Sequence, residues 1–378
     1  MRIAMVSPYA LSRPGGVQGQ ALGLARSLRQ LGHEVTVLAP DDYRPFGLSP
    51  EAEGEGRLDR TFTVGRPVRV GSNGSDAPVA LSPLAARRAY AFVRAEGFDV
   101  AHLHEPMAPD ISYGFLARRC LPLVGTFHRS GDSAWYGVFA PAARRAARRL
   151  GVRCAVSEAA AATAQKALGG TYEVLFNGLE IDRFTEAVPC PTDRPTVLFL
   201  GRHEPRKGLG VLLEAFAALD GGARLWVAGW GPETRALQRK YPPSEQLEWL
   251  GMLEEHEVAE RLAGAHVLAA PSLGGESFGM VLAEALAART VVVASDLEGY
   301  REVVGDCGEL VAPGDVGGLT KALAVTLDDA AHAEGRSSPA ALDAAERRAD
   351  RWSMDALAEQ YLERYGRAIA AFAAPEAK

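Results

Sequence analysis

The chain has 378 residues, 47% hydrophobic and 23% charged, with a formal net charge of −6; this suits a globular protein in solution and is long for one core, so two domains are expected. No apolar run nears the roughly 18 residues of a membrane span, and the N-terminus enters a predicted strand instead of a signal peptide. Cys120, Cys154, Cys190 and Cys307 show no C-x-x-C spacing, so neither structural zinc nor a disulfide framework is expected and a reducing cytosol is the simple reading.

Charge is uneven along the chain. Residues 1–190 hold 22 Lys+Arg against 18 Asp+Glu, and the remainder 19 against 29, a modest hint that the first half meets something anionic. Ile3 to Ser7 reads as a buried strand, followed by Arg13-Pro14-Gly15-Gly16-Val17-Gln18 and a helix from about Gln20 to Leu31 with Gly32 as its cap. A strand at Glu34 to Ala39 completes a βαβ unit, which implies a parallel sheet covered by helices. The Gly15-Gly16 pair lacks the third glycine and acidic residue of a dinucleotide fingerprint; a tight turn and close approach to a ligand both remain open. Residues 41–83 read as loops with short β segments, and Pro83 to Glu96 as a helix bearing Arg87, Arg88 and Arg94.

Asp99 to His104 is a strand closed by Glu105-Pro106. His102 and His104 share a face but lack metal-ligand companions. A further strand, Leu121 to Phe127, ends in His128, either a hydrogen-bonded loop histidine or a polar contact to a substrate oxygen. Pro141 to Gly151 reads as a helix with Arg144, Arg145, Arg148 and Arg149, a solvated face or one that meets phosphate or lipid headgroups. Val152 to Val156, a helix from Ser157 to Leu168, Tyr172 to Phe176 and Asn177-Gly178 follow. Pro189 to Pro195, with three prolines, reads as an inter-domain linker.

The second half restarts with Thr196 to Leu200 and the loop Gly201-Arg202-His203-Glu204-Pro205-Arg206-Lys207-Gly208. Three cations beside glycines at a strand–helix junction suit a diphosphate, although a charged surface turn would look the same. Strands at Ala223 to Ala228, Leu247 to Leu250, Val267 to Ala270 and Val291 to Ser295 make a second doubly wound domain. Pro271 to Ala288 opens as a glycine loop and reads as helix from Ser277. Amides freed near Gly274, Gly275 and Gly279 would attract an anion, with Glu276 and Glu284 flanking it. An amphipathic helix from about Met354 to Phe372 is expected to pack back on the first domain.

These motifs, in this order and spacing, resemble retaining glycosyltransferases of family 4. The residues that carry the likeness are Pro14 to Gln18, His104-Glu105-Pro106, Thr126-Phe127-His128, Asn177-Gly178, Gly201-Arg202 with Arg206-Lys207-Gly208, and Glu276 with Glu284, spanning nearly the whole chain. Within the family the likeness is to actinobacterial enzymes that mannosylate phosphatidylinositol, through Leu198 to Arg202, Glu204 to Gly208, Leu273 to Gly279 and Val293 to Leu297. The resemblance implies an α/β fold of GT-B type: two facing Rossmann-like domains, residues 1–188 with a returning C-terminal helix about 354–378, and residues 189–353.

It also implies roles. Arg202 and Lys207 would hold the donor diphosphate, with Glu204 and Arg206 in the same motif. Glu276 would contact sugar hydroxyls, the amides of Gly275, Ser277, Phe278 and Gly279 the phosphates, Glu284 the ribose diol and Glu255 the base. Gly15 and Gly16 would approach the donor from the N-terminal loop. His128 would meet a sugar hydroxyl or the acceptor phosphate, and Gln18 and Arg129 the acceptor. The implied donor is GDP-mannose and the implied acceptor anionic, of the phosphatidylinositol type, with no nucleic acid partner. The implied setting is the cytoplasm, extended to peripheral docking on the inner face of the plasma membrane. The chain has no Asp-x-Asp, so no protein-held metal is expected, and any Mg2+ stimulation would act through the donor diphosphate. Competing readings are a UDP-sugar transferase with a soluble or polysaccharide acceptor, a nucleotide-sugar epimerase, and a sugar-binding protein without activity.

Overall fold

The computed structural model describes residues 1–12, 15–42, 47–48, 60–72, 75–79, 82–108, 111–118, 120–129, 140–219, 222–276 and 278–374. The chain forms two compact units, Met1–Gly178 with Met354–Lys378, and Leu179–Ser353.

The first unit contains β1 (Arg2–Val6), β2 (Glu34–Ala39), β3 (Gly47–Leu48), β4 (Thr61–Thr63), β5 (Val68–Ser72), β6 (Ser75–Val79), β7 (Val100–His104), β8 (Leu123–Phe127), β9 (Val152–Ala155) and β10 (Glu173–Val174). Its main sheet runs β10-β9-β8-β7-β1-β2-β4-β3, parallel except for β3, and β5 and β6 form a separate antiparallel pair. The central strands are buried along their length and mostly apolar because both faces are covered, with His102, His104 and Thr126 as buried polar exceptions. Along β1, Ile3 and Met5 enter one core while Ala4 and Val6 enter the other, the period of two that a strand imposes. The Ala4 face packs helices Pro83–Glu96 and Glu158–Leu168. The Ile3 face packs Gly16–Gln30 and the C-terminal helix Met354–Ala373, through Leu357, Tyr361 and Tyr365.

The helix after the Gly-rich turn begins at Gly16, earlier than expected, with extended Gly15 before it. The basic helix spans Ala140–Ala147 and stops short of the expected Gly151. The break between units falls after Gly178, ahead of the expected boundary at 188/189. The residues that follow Gly178 pack inside the second unit: Phe184 is buried, and the Cys190 amide donates to the Glu260 carbonyl at 2.9 Å. The proline-rich run 189–195 is therefore a loop of that unit and not a linker.

The second unit holds β11 (Thr196–Leu200), β12 (Arg224–Ala228), β13 (Leu247–Gly251), β14 (Val267–Ala270), β15 (Val291–Ser295) and β16 (Gly308–Val311), all parallel in the order β13-β12-β11-β14-β15-β16. In each sheet the strand order reverses once, between β1 and β7 and between β11 and β14. At such switch points adjacent crossovers leave on opposite faces, and the carboxyl ends of the strands open a crevice for ligands.

Candidate active site

In the second unit the loops after β11 and β14 meet at the switch point. Gly208 stands at φ 68, and a Cβ there would overlap the carbonyl oxygen of Pro271. Only glycine lets the two loops close to this distance. The Leu273 amide then donates to the Arg206 carbonyl at 2.7 Å. This seam brings the cations to Glu276: Lys207 Nζ lies 2.7 Å and Arg206 Nη1 2.8 Å from Glu276 Oε1. Glu204 takes Arg206 Nε at 3.0 Å, and Arg202 Nη2 lies 3.0 Å from its other oxygen. The Ser272 hydroxyl, 2.9 Å from the Tyr300 hydroxyl, donates to Glu276 Oε1 at 3.4 Å. Three cations share two carboxylates, so the cluster keeps one net positive charge. Arg202 is about half exposed, whereas Glu204 and Glu276 are nearly buried. The carboxylates hold the cations in place and leave their outer faces for an anion.

The expected helix start at Ser277 is corrected: the helix is Met280–Ala287. Gly275 and Gly279 stand at φ 74 and 89, outside helical backbone, and a Cβ on Gly279 would press on the Tyr300 ring. The Phe278 side chain is buried edge-on to Trp352, centroids 5.7 Å apart, so that side chain belongs to the core and only its amide can serve a ligand. Ser277 lies outside the described residues. Glu284, on the helix, has its carboxyl pushed up by burial, opposed by the Arg183 charge and reinforced by Glu255. Arg183 pairs with Glu255 at 3.1 Å. Glu276 and Glu284 thus belong to different charge clusters, which does not suit a paired acid and nucleophile. Arg183 was not singled out in the sequence, where it lies far from both glutamates.

In the first unit the loops after β1, β7 and β8 carry the other predicted residues. Met5, His102, His104 and Thr126 share the sheet face covered by the C-terminal helix. His102 Nδ1 lies 2.8 Å from the Tyr365 hydroxyl and its Nε2 2.7 Å from Thr126 Oγ1, which in turn lies 2.8 Å from the Tyr361 hydroxyl. His102 stacks on His104 at 4.3 Å, and His104 Nδ1 reaches His128 Nε2 at 2.9 Å. Burial lowers all three histidines, His102 and His128 to about 3 and His104 well below its ordinary value, with repulsion from neighbouring histidines adding for His102 and His104. The row is neutral at pH 7. The His128 amide donates to Glu105 Oε2 at 2.9 Å, and Arg129 follows, partly exposed, at the same edge.

Gln18 is buried and donates to the Ala10 carbonyl at 3.3 Å, and a Cβ on Gly15 would press on its side chain. Gly16 has open space where a Cβ would sit. Sequence reasoning missed Gln20, whose side chain clamps Gly178 through both backbone groups at 2.7 and 2.8 Å. Its sequence signal was weak, a polar residue on the buried face of a helix that also buries Gln18 and Ser27. Among the described residues no group of three His, Cys, Asp or Glu could hold a metal. None of their helices is long and apolar enough to cross a membrane.

Two Rossmann-like units, one with a cationic strand–loop–helix edge, define a GT-B glycosyltransferase. Solved structures share this fold: sucrose-phosphate synthase from Thermosynechococcus elongatus (TM-score 0.73, 19% identity, 98% of this chain and 99% of the other) and Anabaena HepE in complex with UDP and glucose (0.71, 19%, 97% and 99%). The model for Glycosyltransferase Family 4 matches residues 14–183, and that for glycosyl transferases group 1 matches residues 194–329. The chain is 39% identical to a phosphatidyl-myo-inositol mannosyltransferase of Mycolicibacterium smegmatis, over 87% of this chain and 85% of the relative. It is 32% identical to one from Propionibacterium freudenreichii, over 82% and 81%. The chain belongs to glycosyltransferase family 4.

Proposed function

We propose that the protein transfers mannose from GDP-mannose to a phosphatidylinositol-type acceptor, with retention at the anomeric carbon. The observation that carries this reading is the 39% identity to a phosphatidyl-myo-inositol mannosyltransferase across most of both chains. The cationic loop supports it chemically. Arg202 and Lys207 take the donor diphosphate and offset the charge that grows on the departing GDP, in a site already organised around Glu204 and Glu276. Arg206 bridges those two carboxylates. Glu276 turns to the sugar hydroxyls, the amides of Gly275 and Gly279 to the phosphates, Glu284 to the ribose and Glu255 to the base. Gly15 and Gly16 keep the N-terminal loop slim enough to approach the donor. Gln18 holds that loop, and Arg129 serves the acceptor beside it. No carboxylate pair is needed, because the leaving phosphate itself assists front-face attack. Any Mg2+ effect acts through the donor diphosphate, so EDTA is expected to slow transfer without abolishing it.

The decisive test is a donor-by-acceptor screen with NMR of the product. Expected is an α-mannoside of phosphatidylinositol from GDP-mannose. Tighter binding of UDP than GDP would overturn the donor, and product formed without any acceptor would point to an epimerase. Docking on an anionic membrane surface rests on a cavity of about 410 Å3 at the opposite edge of the first sheet, lined by Arg118, Arg148 and Arg149 with Leu121, Leu150 and Phe372. Co-sedimentation with anionic but not neutral vesicles at low salt is expected; its absence would remove the docking reading.

A further inference from the structure

The cavity of about 410 Å3 lies at the amino ends of β8 and β9, where the turns that enter these strands meet the last turns of the C-terminal helix. Adjacent parallel strands set their entering turns side by side. Arg118 therefore lines the same space as Arg148 and Arg149, 30 positions away. Leu121, Leu150 and Phe372 supply the apolar wall, and the two leucines are buried. The lining holds three guanidinium groups and no carboxylate. Arg118 is set over the Tyr90 ring, 4.8 Å from its centroid, with Nη1 3.4 Å from the Gly114 carbonyl. Among the described residues the side chains of Arg148 and Arg149 have no ion-pair or hydrogen-bond partner. The arginine stripe expected on one helix is a different set: Arg144 Nε donates to the Ala167 carbonyl at 2.9 Å, and Arg145 does not reach the cavity.

We propose that this cavity is a second anion site, which takes one small molecule carrying a phosphate group on a short apolar arm. The phosphate sits among Arg118, Arg148 and Arg149, and the arm lies against Leu121, Leu150 and Phe372. Three like charges in one recess repel each other. A phosphate between them removes that cost, and its oxygens match the guanidinium forks. A fully solvated anion would gain nothing from the leucines and the phenylalanine, whereas an attached hydrocarbon arm leaves water there. The volume is that of a small-molecule pocket, for which roughly 300–1,000 Å3 is usual. The five residues of β8 set it roughly 16 Å from the carboxyl edge, apart from the residues assigned to donor and acceptor. A lipid headgroup and a soluble organic phosphate share this chemistry, so the site stands with or without membrane docking.

Calorimetric titration of the full-length protein with hexyl phosphate, inorganic phosphate and hexanol at low salt tests the site. Hexyl phosphate is expected to bind roughly 10-fold or more tightly than either fragment. Equal affinity for hexyl and inorganic phosphate would overturn the apolar arm, and no binding of hexyl phosphate would overturn the site. Arg148→Gln combined with Arg149→Gln should weaken hexyl phosphate roughly 10- to 100-fold, the scale of lost charge-assisted hydrogen bonds. Ala371→Phe narrows the cavity and keeps the charges, so it should weaken hexyl phosphate and spare inorganic phosphate. All three positions are exposed, and melting curves should not move. Affinity unchanged in both variants would place the phosphate elsewhere and overturn the assignment. Vesicles containing phosphatidylglycerol separate the two sources. Release of the chain from them by hexyl phosphate assigns the pocket to a lipid headgroup. Retention assigns it to a soluble phosphate. Absence of vesicle binding does the same, and removes membrane docking while leaving the site.

Discussion

The carboxyl edges of the two sheets solve opposite problems with opposite chemistry. In the second unit the edge is charged: Arg202, Arg206 and Lys207 around Glu204 and Glu276, with the cations partly in solvent. In the first unit a row behind the edge is uncharged: three stacked histidines, two tyrosine hydroxyls and a threonine, with His102 and His104 buried and Glu105 and Arg129 beside it. Charges survive in the first case because each cation has a carboxylate and an open side. In the histidine row they are excluded because burial drives the rings neutral. An ionic edge can stabilise developing phosphate charge, while a neutral edge can orient hydroxyls without attracting ions.

Substitutions can break each half of this contrast. Lys207→Ala removes the cation most tightly held by Glu276. A loss of about 10²- to 10³-fold in kcat is expected, as for other groups that stabilise a leaving charge, with Tm nearly unchanged; steady-state kinetics and a melting curve check it. If activity is intact, the ionic edge is structural only. Gly208→Ala puts a side chain at φ 68 against Pro271 and should separate the two loops, with a cost of a few kcal/mol. Denaturant unfolding and nucleotide binding should both register the change.

The neutral edge is sharpened by pH. His102 titrates near 3 in the folded chain against an ordinary value of 6.5, through burial and then repulsion from His128. Below pH 6.5 the unfolded chain binds a proton that the folded chain refuses, so stability is full above that pH and falls as the pH drops toward 3. At pH 5, His102 alone should cost about 2 kcal/mol. Urea unfolding at pH 7 and 5 measures this, and His102→Gln should flatten the slope. The smallest effect expected is for Tyr365→Phe, which removes the hydroxyl beside His102 Nδ1 at about 1 kcal/mol. A double-mutant cycle with His102→Gln should show that the two losses do not add.

The parallel sheets were legible because buried strands must be apolar and because glycine loops punctuate them. Arg202 and Lys207 were legible as well, being close in sequence and displayed on one loop. Misreadings arose where local pattern underdetermines packing. The prolines of 189–195 resemble a linker, yet the residues before them bury Phe184 inside the second unit. Ser277 looks like a helix start only until Gly279 is seen at φ 89.

The sequence by itself determined two Rossmann-like units, the cationic loop and the family, since each is written in periodicity or in short contiguous motifs. Tertiary structure decided which residues act together. Lys207 meets Glu276, Gln20 clamps Gly178 and Tyr365 meets His102, across 69, 158 and 263 positions. It also decided that the histidine row is neutral, because that depends on burial and on which groups pack against the rings. Neither is a property of any stretch of chain.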